Sequence, residues 1–274
     1  MTFIIAELGI NHNGSLDTAK KLIDAAKWAG VDAVKLQKRS VTIVYAGQLD
    51  QPRESPWGKT LGDQKRGLEL GPESYDEIDR YCKYLNMPWF ASAWDIPSLQ
   101  FLSKYGCPYN KIASAITTNL ELVRAIANEK KPTFLSTAMC TYEDIYRALE
   151  CFAASTKVTL MHCVATYPAP EKDLNLKVIQ DLYSEFGIPV GYSAHQTSVS
   201  PSVMAAVLGA VAIEQHLTLD RSMYGSDQAA SLEPIGMKTL VDQIRKIPIV
   251  LGDGVKRITE DEKKVAAKLR YWER

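Results

Sequence analysis

Two histidines that close apolar runs are the first sign of chemistry in this chain. Val211-Ala-Ile-Glu-Gln-His216 and Pro189-Val-Gly-Tyr-Ser-Ala-His195 are each short and apolar, as buried parallel strands are, and each stops on an imidazole. Side chains alternate along a strand, so Glu214 shares a face with His216, and Ser193 with His195. A strand-end histidine is either a hydrogen-bonded structural residue or a nitrogen ligand for a divalent metal. Other apolar runs end in Glu7, Lys35 with Gln37, Ser92, Lys111 with Ser114, Ser136 with Thr137, and His162 with Cys163. Ser and Thr there also suit turns. Lysines and hydroxyls gathered at one mouth suit a phosphate and a carboxylate, because each anion must exchange water for charge-assisted hydrogen bonds. Histidines beside them suit a metal that polarises a carbonyl or activates a water. The residues alone reach as far as a metal-assisted enzyme acting on a small phosphorylated or carboxylated substrate.

The elements that must bring these ends together form a repeat of β-rich run, polar turn and amphipathic helical stretch. The strands are expected at 3–7, 32–37, 88–93, 109–114, 132–137, 157–163, 188–195 and 211–217. Helical patterns fall between and after them, at 16–29, 72–86, 97–104, 120–129, 142–153, 174–185, 200–208 and 235–251. Ser15 or Asp17 opens the first helix and Gly30 closes it, Pro72 follows Gly71, and Thr141 with Asp144 reads as a capping box. Strict alternation implies a parallel sheet with right-handed crossovers, and eight units close it into a single (β/α)8 TIM barrel of the α/β class. The rival, an open nucleotide-binding sheet, lacks a G-x-G-x-x-G or Walker loop after any strand. In a barrel the strand C-termini are where an active site lies.

One connection breaks the rhythm. More than thirty residues, Arg39 to Gly71, separate the second strand from its helix, and long insertions of this kind are commonly lids or binding loops. Trp57, Gly58, Lys59, Lys65 and Arg66 within it suit an anionic or sugar ligand, so Lys59 and Arg66 count among the candidate substrate-binding residues.

The totals agree with one domain of 274 residues, with the barrel over 1–254 and a charged tail or helix over 255–274. Thirty-two basic residues balance 32 acidic ones, which argues against a nucleic-acid partner. The five scattered cysteines form no C-x-x-C, so a reducing cytoplasm is expected. No signal peptide is recognisable, and the longest apolar run, Val203 to Ile213, falls short of the roughly 20 residues a membrane span needs.

The chain resembles the sialic acid synthases, which condense phosphoenolpyruvate with an aldose. The motifs that carry the resemblance are Ile5-Ala-Glu-Leu-Gly-Ile-Asn-His-Asn-Gly14, Ala33-Val-Lys-Leu-Gln37, Lys111-Ile-Ala-Ser114, Leu135-Ser-Thr-Ala-Met139, Met161-His-Cys163, Tyr167-Pro-Ala-Pro170, Gly191-Tyr-Ser-Ala-His195, Ile213-Glu-Gln-His216 and Gly225-Ser-Asp227. The resemblance implies a (β/α)8 barrel in which His195 and His216 hold a divalent metal, Mn2+ or Mg2+. It implies that Lys35, Lys111, Ser114, Ser136 and Ser193 bind phosphoenolpyruvate, that Glu7, Gln37, Tyr167 and Asp227 face the sugar, and that Ser92 and Trp94 line the pocket. Glu7, Asp227 and Lys111 are the expected catalytic residues, and a homo-oligomer is expected. The product would be a 3-deoxy-2-keto sugar acid, with phosphate released. A divalent-metal aldolase or lyase on a related barrel, and a non-catalytic ligand-binding barrel, are the alternatives.

Four departures from the family pattern bear on the acceptor. Ala115 and Ile116 stand where the family has Gly and an acidic sugar contact, Ala165 where an Asn is usual, and Ala194 where an Asp is usual. Members usually continue into an antifreeze-like domain whose arginine reaches a partner's N-acyl sugar, and no such domain precedes Arg274. The resemblance, so qualified, implies an aldose or aldose phosphate other than an N-acylated hexosamine.

Overall fold

Apolar runs buried from end to end, such as Ile4 to Leu8 and Ala33 to Leu36, lie on strands covered on both faces, as parallel strands inside a helical ring must be. In the computed structural model, which describes residues 1–273 and leaves Arg274 outside, eight such strands close a barrel. They are β1 (Phe3–Gly9), β2 (Ala33–Lys38), β5 (Trp89–Ala93), β6 (Asn110–Ile112), β7 (Thr133–Ser136), β8 (Val158–Cys163), β9 (Val190–Ala194) and β10 (Ala212–His216). Around the barrel the order is β1-β10-β9-β8-β7-β6-β5-β2, every pairing parallel. The expected (β/α)8 barrel is therefore the fold, with seven of the strands one to three residues shorter or longer than their apolar runs and β2 of equal length, shifted by one residue.

Helices α1 (Leu16–Ala29), α4 (Pro72–Tyr84), α5 (Ile96–Ser103), α6 (Leu120–Ala127), α7 (Tyr142–Leu149), α8 (Val178–Phe186), α9 (Ser200–Val207) and α10 (Pro234–Leu251) surround it. Ser15 caps α1 by accepting from Thr18 N, and Gly30 ends it at φ 87°, where a side chain would be strained. Thr141 and Asp144 form the expected capping box. The stretch expected to be helical from 174 starts only at Val178, because Glu171–Asp173 is a 3-10 turn and Asn175 takes φ 40°, which no α-helix continues through.

The connection after β2 is not an open loop. It contains α2 (Val41–Val44), a hairpin of β3 (Pro52–Ser55) and β4 (Gly58–Thr60), and α3 (Leu61–Leu68), opened by a Thr60–Asp63 capping box. After α10 the charged segment forms α11 (Glu260–Leu269), none of whose residues is buried. Among the described residues no helix is long and apolar enough to cross a membrane.

The barrel interior has two levels. Phe3, Phe90, Tyr109 and Phe134 meet at its N-terminal end with ring centroids 5.3–6.1 Å apart. Phe3 and Phe134 belong to strands on opposite sides of the barrel, so this contact runs through the interior. Gly191 is required at this level, since a Cβ there would lie 2.6 Å from Met161 Sδ and 2.7 Å from the Ala212 carbonyl oxygen. Two residues further along the same strands, and therefore on the same face, stand Ser92, Lys111, Ser136 and Ser193. The aromatic level plugs the barrel, and the polar level opens at its C-terminal mouth.

Candidate active site

A cavity of about 230 Å3 sits in that mouth, lined by Lys35, Gln37, Ser92, Trp94, Lys111, Ser114, Ser136, Tyr167, Ser193, Glu214 and both strand-end histidines, His195 and His216. A larger groove of about 740 Å3, between α9 and residues 171–177 ahead of α8, contains none of these groups.

The centre of the cavity is an ion cluster assembled from four strands. Lys111 donates to both oxygens of Glu214, at 3.1 and 2.9 Å. Lys35 pairs closely with Glu7, lies 3.6 Å from Glu214 and donates to Ser92 Oγ at 3.0 Å. Ser193 Oγ donates to Glu214 at 3.3 Å. All four charged side chains are at most 4% exposed. Burial opposes ionisation of Glu214, but the ammonium groups of Lys111 and Lys35 outweigh it and hold the carboxyl well below the usual carboxylate range. Burial likewise opposes charge on Lys35, and Glu214 and Glu7 overcome it and raise its pKa. Glu214 was visible as a strand end but had no role assigned from sequence, and it is the hub.

Glu7 reaches the mouth through an irregularity. The β1–β2 register shifts between Glu7 and Gly9, and Gly9 takes φ 42°. A Cβ on Gly9 would lie 2.8 Å from Glu7 Oε1, so the missing side chain makes room for the carboxylate. Gln37 Nε2 donates to that same oxygen at 2.7 Å.

The two histidines differ in their attachments. His195 Nδ1 donates to the Val164 carbonyl at 2.6 Å, which leaves Nε2 to accept from the Tyr167 hydroxyl at 2.9 Å. Burial, then the neighbouring His216, push His195 down to about 3, so it is neutral. A neutral imidazole whose far nitrogen is fixed by a carbonyl is the usual arrangement of a metal-ligating histidine. His216 Nδ1 is buried with no hydrogen-bond partner and lies 3.8 Å from Asp227 Oδ2. The two rings are 5.4 Å apart, centroid to centroid. These donors fit a divalent cation. Among the described residues His195 and His216 belong to no group of three or more His, Cys, Asp or Glu side chains that could hold a metal ion.

Of the remaining expected site residues, Ser114 Oγ accepts from the Ala138 N–H and Ser136 lies beside it on the wall, while Asp227 borders the cavity through His216. Lys59 and Arg66 are not brought there. Lys59 is exposed on the hairpin, and Arg66 is half exposed and paired with Asp63. Lys59 on the hairpin and Arg66 on α3 both face solvent and neither lines the cavity, which corrects the expectation that they contribute to the site. Ile116 is 8% exposed and belongs to the core, so its apolar character serves packing and position 116 does not face the cavity. His162 is tied to the Leu174 carbonyl at 2.8 Å and is structural.

Sequence reasoning missed Arg39. Its guanidinium lies 4.2 Å from the Trp94 ring centroid and donates to Gln37 Oε1. The available signal was its position two residues after Gln37 at the end of β2, masked by the adjacent Lys38 and by the turn that follows.

Comparison with known proteins adds a family. The NeuB family model matches residues 22–256. The chain is 39% identical to the N-acetylneuraminate-9-phosphate synthase of Drosophila melanogaster, over 97% of this chain and 74% of that protein. It is 35% identical to the N,N'-diacetyllegionaminic acid synthase of Legionella pneumophila, over 98% of this chain and 78% of the relative. Among solved structures, the N-acetylneuraminic acid (sialic acid) synthetase of Leptospira borgpetersenii in complex with citrate superposes with a TM-score of 0.84 at 30% identity, covering 98% of this chain and 93% of that one.

Proposed function

The chain belongs to the NeuB family, and from that premise we propose that it condenses phosphoenolpyruvate with an aldose or aldose phosphate to give a 3-deoxy-2-keto sugar acid and phosphate. The observation that carries this reading is the Lys35–Glu214–Lys111 cluster, ringed by the hydroxyls of Ser92, Ser114, Ser136 and Ser193, at the closed end of the cavity. Two buried ammonium groups among hydroxyl donors suit a ligand that carries a phosphate and a carboxylate on adjacent atoms.

In this reading C3 of the enol forms the new bond to the aldehyde carbon, and the aldehyde oxygen takes a proton. Water adds at C2, and the C2–O bond to phosphate breaks as the ketone forms. Lys35 and Lys111 hold the donor's anionic groups and offset the charge that develops around C2. Gln37 orients Glu7, whose carboxylate at the acceptor side is placed to move a proton at the aldehyde oxygen or the attacking water. Asp227, beside His216, is the second candidate for proton transfer. The rings of Phe3, Phe90, Tyr109 and Phe134 pack across the barrel below the donor. When bound, a divalent cation such as Mn2+ or Mg2+ supplies Lewis-acid polarisation of an oxygen, and His195 and His216 are the residues that would hold it.

The test is phosphate release from phosphoenolpyruvate over a panel of aldoses and aldose phosphates, with and without chelator. Release that depends on an aldose supports the reading. Thermal stabilisation by phosphoenolpyruvate with no release for any sugar would refute it in favour of a ligand-binding barrel. Loss of release on chelation, restored by Mn2+ or Mg2+, is the result expected of the cation.

A further inference from the structure

The long connection after β2 stands out in the sequence, yet Lys59 and Arg66 on it face solvent. Its inward contacts go to another loop. Trp57, in the turn between β3 and β4, meets the Tyr224 ring in a T-shaped contact with centroids 5.6 Å apart. Gln64 of α3, which is buried, donates from Nε2 to the Tyr224 hydroxyl at 2.6 Å. Tyr224 lies in the segment between β10 and α10, and that segment also carries Asp227. None of Trp57, Gln64 and Tyr224 lines the cavity.

The segment is held from two sides. On the inner side Asn11 Nδ2 donates to the Leu217 carbonyl at 2.9 Å and to Ser231 Oγ at 2.8 Å, and Ser231 Oγ donates to the Asp227 carbonyl at 2.6 Å. Gln228 Nε2 donates to the carbonyls of Asn11 and Tyr224, each at 3.3 Å. Asn11, Gln228 and Ser231 are all buried, so these bonds are shielded from water. On the outer side stand Trp57 and Gln64. They can act as an abutment because the insertion rests on the same turn that carries Asn11. A Cβ on Gly14 would lie 2.0 Å from the Gly67 carbonyl oxygen, so the backbone of α3 sits directly on the turn after β1. A Cβ on Gly67 would in turn lie 2.1 Å from Trp57 Cγ, so the indole is braced against α3.

We propose that Trp57 and Gln64 are positioning residues for the condensation: by clamping Tyr224 they fix the backbone just ahead of Asp227 and keep its carboxylate beside His216. The proposal rests on the condensing reading above, in which Asp227 is a candidate for proton transfer. The carboxylate is held locally by Ser226 Oγ, which donates to Oδ1 at 2.7 Å, while Oδ2 lies 3.8 Å from His216 Nδ1. Ser226 is itself exposed and on the same segment, so the carboxylate goes where that backbone goes. A reacting group displaced by about 1 Å can lose about a hundredfold in rate. The insertion thereby serves the chemistry through the Asp227 segment, without a contact to the ligand.

The test uses the full chain and reads amide hydrogen exchange beside phosphate release. Trp57→Ala is expected to speed exchange across residues 217–231 while the barrel strands keep their protection. It should lower kcat by about tenfold to a hundredfold and leave the KM for phosphoenolpyruvate within about twofold of wild type, since the donor lysines are untouched. Trp57→Phe, which keeps an aromatic edge against Tyr224, should restore most of the rate. Tyr224→Phe removes the Gln64 bond and keeps the ring, so a smaller loss is expected; it also carries the test if Trp57→Ala does not fold. In an Asp227→Asn background Trp57→Ala should cost less than about twofold more, because both changes act on one group. Unchanged exchange over 217–231, or losses that multiply in the double variant, would overturn the proposal. The exchange result stands whatever the turnover of Asp227→Asn. If no sugar releases phosphate, the condensing reading fails, and faster exchange over 217–231 in Trp57→Ala still establishes the clamp on the segment, so the two failures are told apart.

Discussion

Chain segments that turn an aromatic ring or a glycine inward at one level of the barrel turn charged and hydroxyl groups inward at the next. Phe90 is followed on its face by Ser92, Tyr109 by Lys111, Phe134 by Ser136 and Gly191 by Ser193. The lower level is held by apolar area and ring contacts, which need no partner beyond a good fit. The upper level is held by buried ion pairs, where each charge depends on its neighbours and loss of one strands another. One strand thus carries the rigid support and the reactive group two residues apart. The lower level should therefore fail by unfolding, and the upper by losing chemistry.

Lys111→Met offers the hardest break. Removing one preorganised charge at the donor should lower kcat/KM for phosphate release by about a hundredfold to a thousandfold, while Lys35 still offsets Glu214 and the chain stays folded by circular dichroism. A folded variant with near-normal turnover would dissolve the distinction between levels. Phe134→Ala, one level down, should instead cost about 3–5 kcal/mol in denaturant unfolding, with phosphoenolpyruvate affinity of the folded fraction little changed.

Acid should act on a residue that belongs to neither level. His12, 2% exposed in the turn after β1, has its pKa lowered from 6.5 to about 4, first by burial and also by the nearby Arg39. Below pH 6.5 the unfolded chain takes up a proton on this residue that the folded chain refuses. Its contribution is therefore complete above pH 6.5 and is lost as pH falls toward about 4, at about 1.4 kcal/mol per pH unit. Urea unfolding at pH 7 and 5 should show a smaller difference in His12→Asn than in wild type.

The smallest effect is expected outside both levels. Lys59→Ala and Arg66→Ala should each change stability by less than about 0.5 kcal/mol and leave phosphate release at the wild-type rate. A tenfold loss in either would return that residue to the site.

The sequence makes the eight strands legible because a buried parallel strand has few ways to be written, and it marks Lys35, Lys111, His195 and His216 as strand ends. The ion cluster is less legible. Lys35, Lys111 and Glu214 meet only because the barrel closes and turns three distant strands inward to one point. Lys59 and Arg66 misled for the opposite reason, since local charge composition says nothing of which way a hairpin or a helix face points. Ile116 looked like a change of substrate contact, yet its side chain completes the core, a distinction that requires the direction of the 3-10 turn it sits on.

The ion cluster also has a thermodynamic consequence. Two ammonium groups at the mouth already face two carboxylates, so the cavity is electrically balanced before any ligand enters. A ligand bearing a phosphate and a carboxylate upsets that balance, and the low dielectric of the barrel leaves little solvent to restore it. Anything that brings positive charge to the mouth, a cation between His195 and His216 or a proton on one of the acids, must then bind more tightly when the anion is present. By reciprocity it tightens the anion's binding by the same factor. Donor affinity measured without such a counter-charge is the affinity of a site that is only half filled.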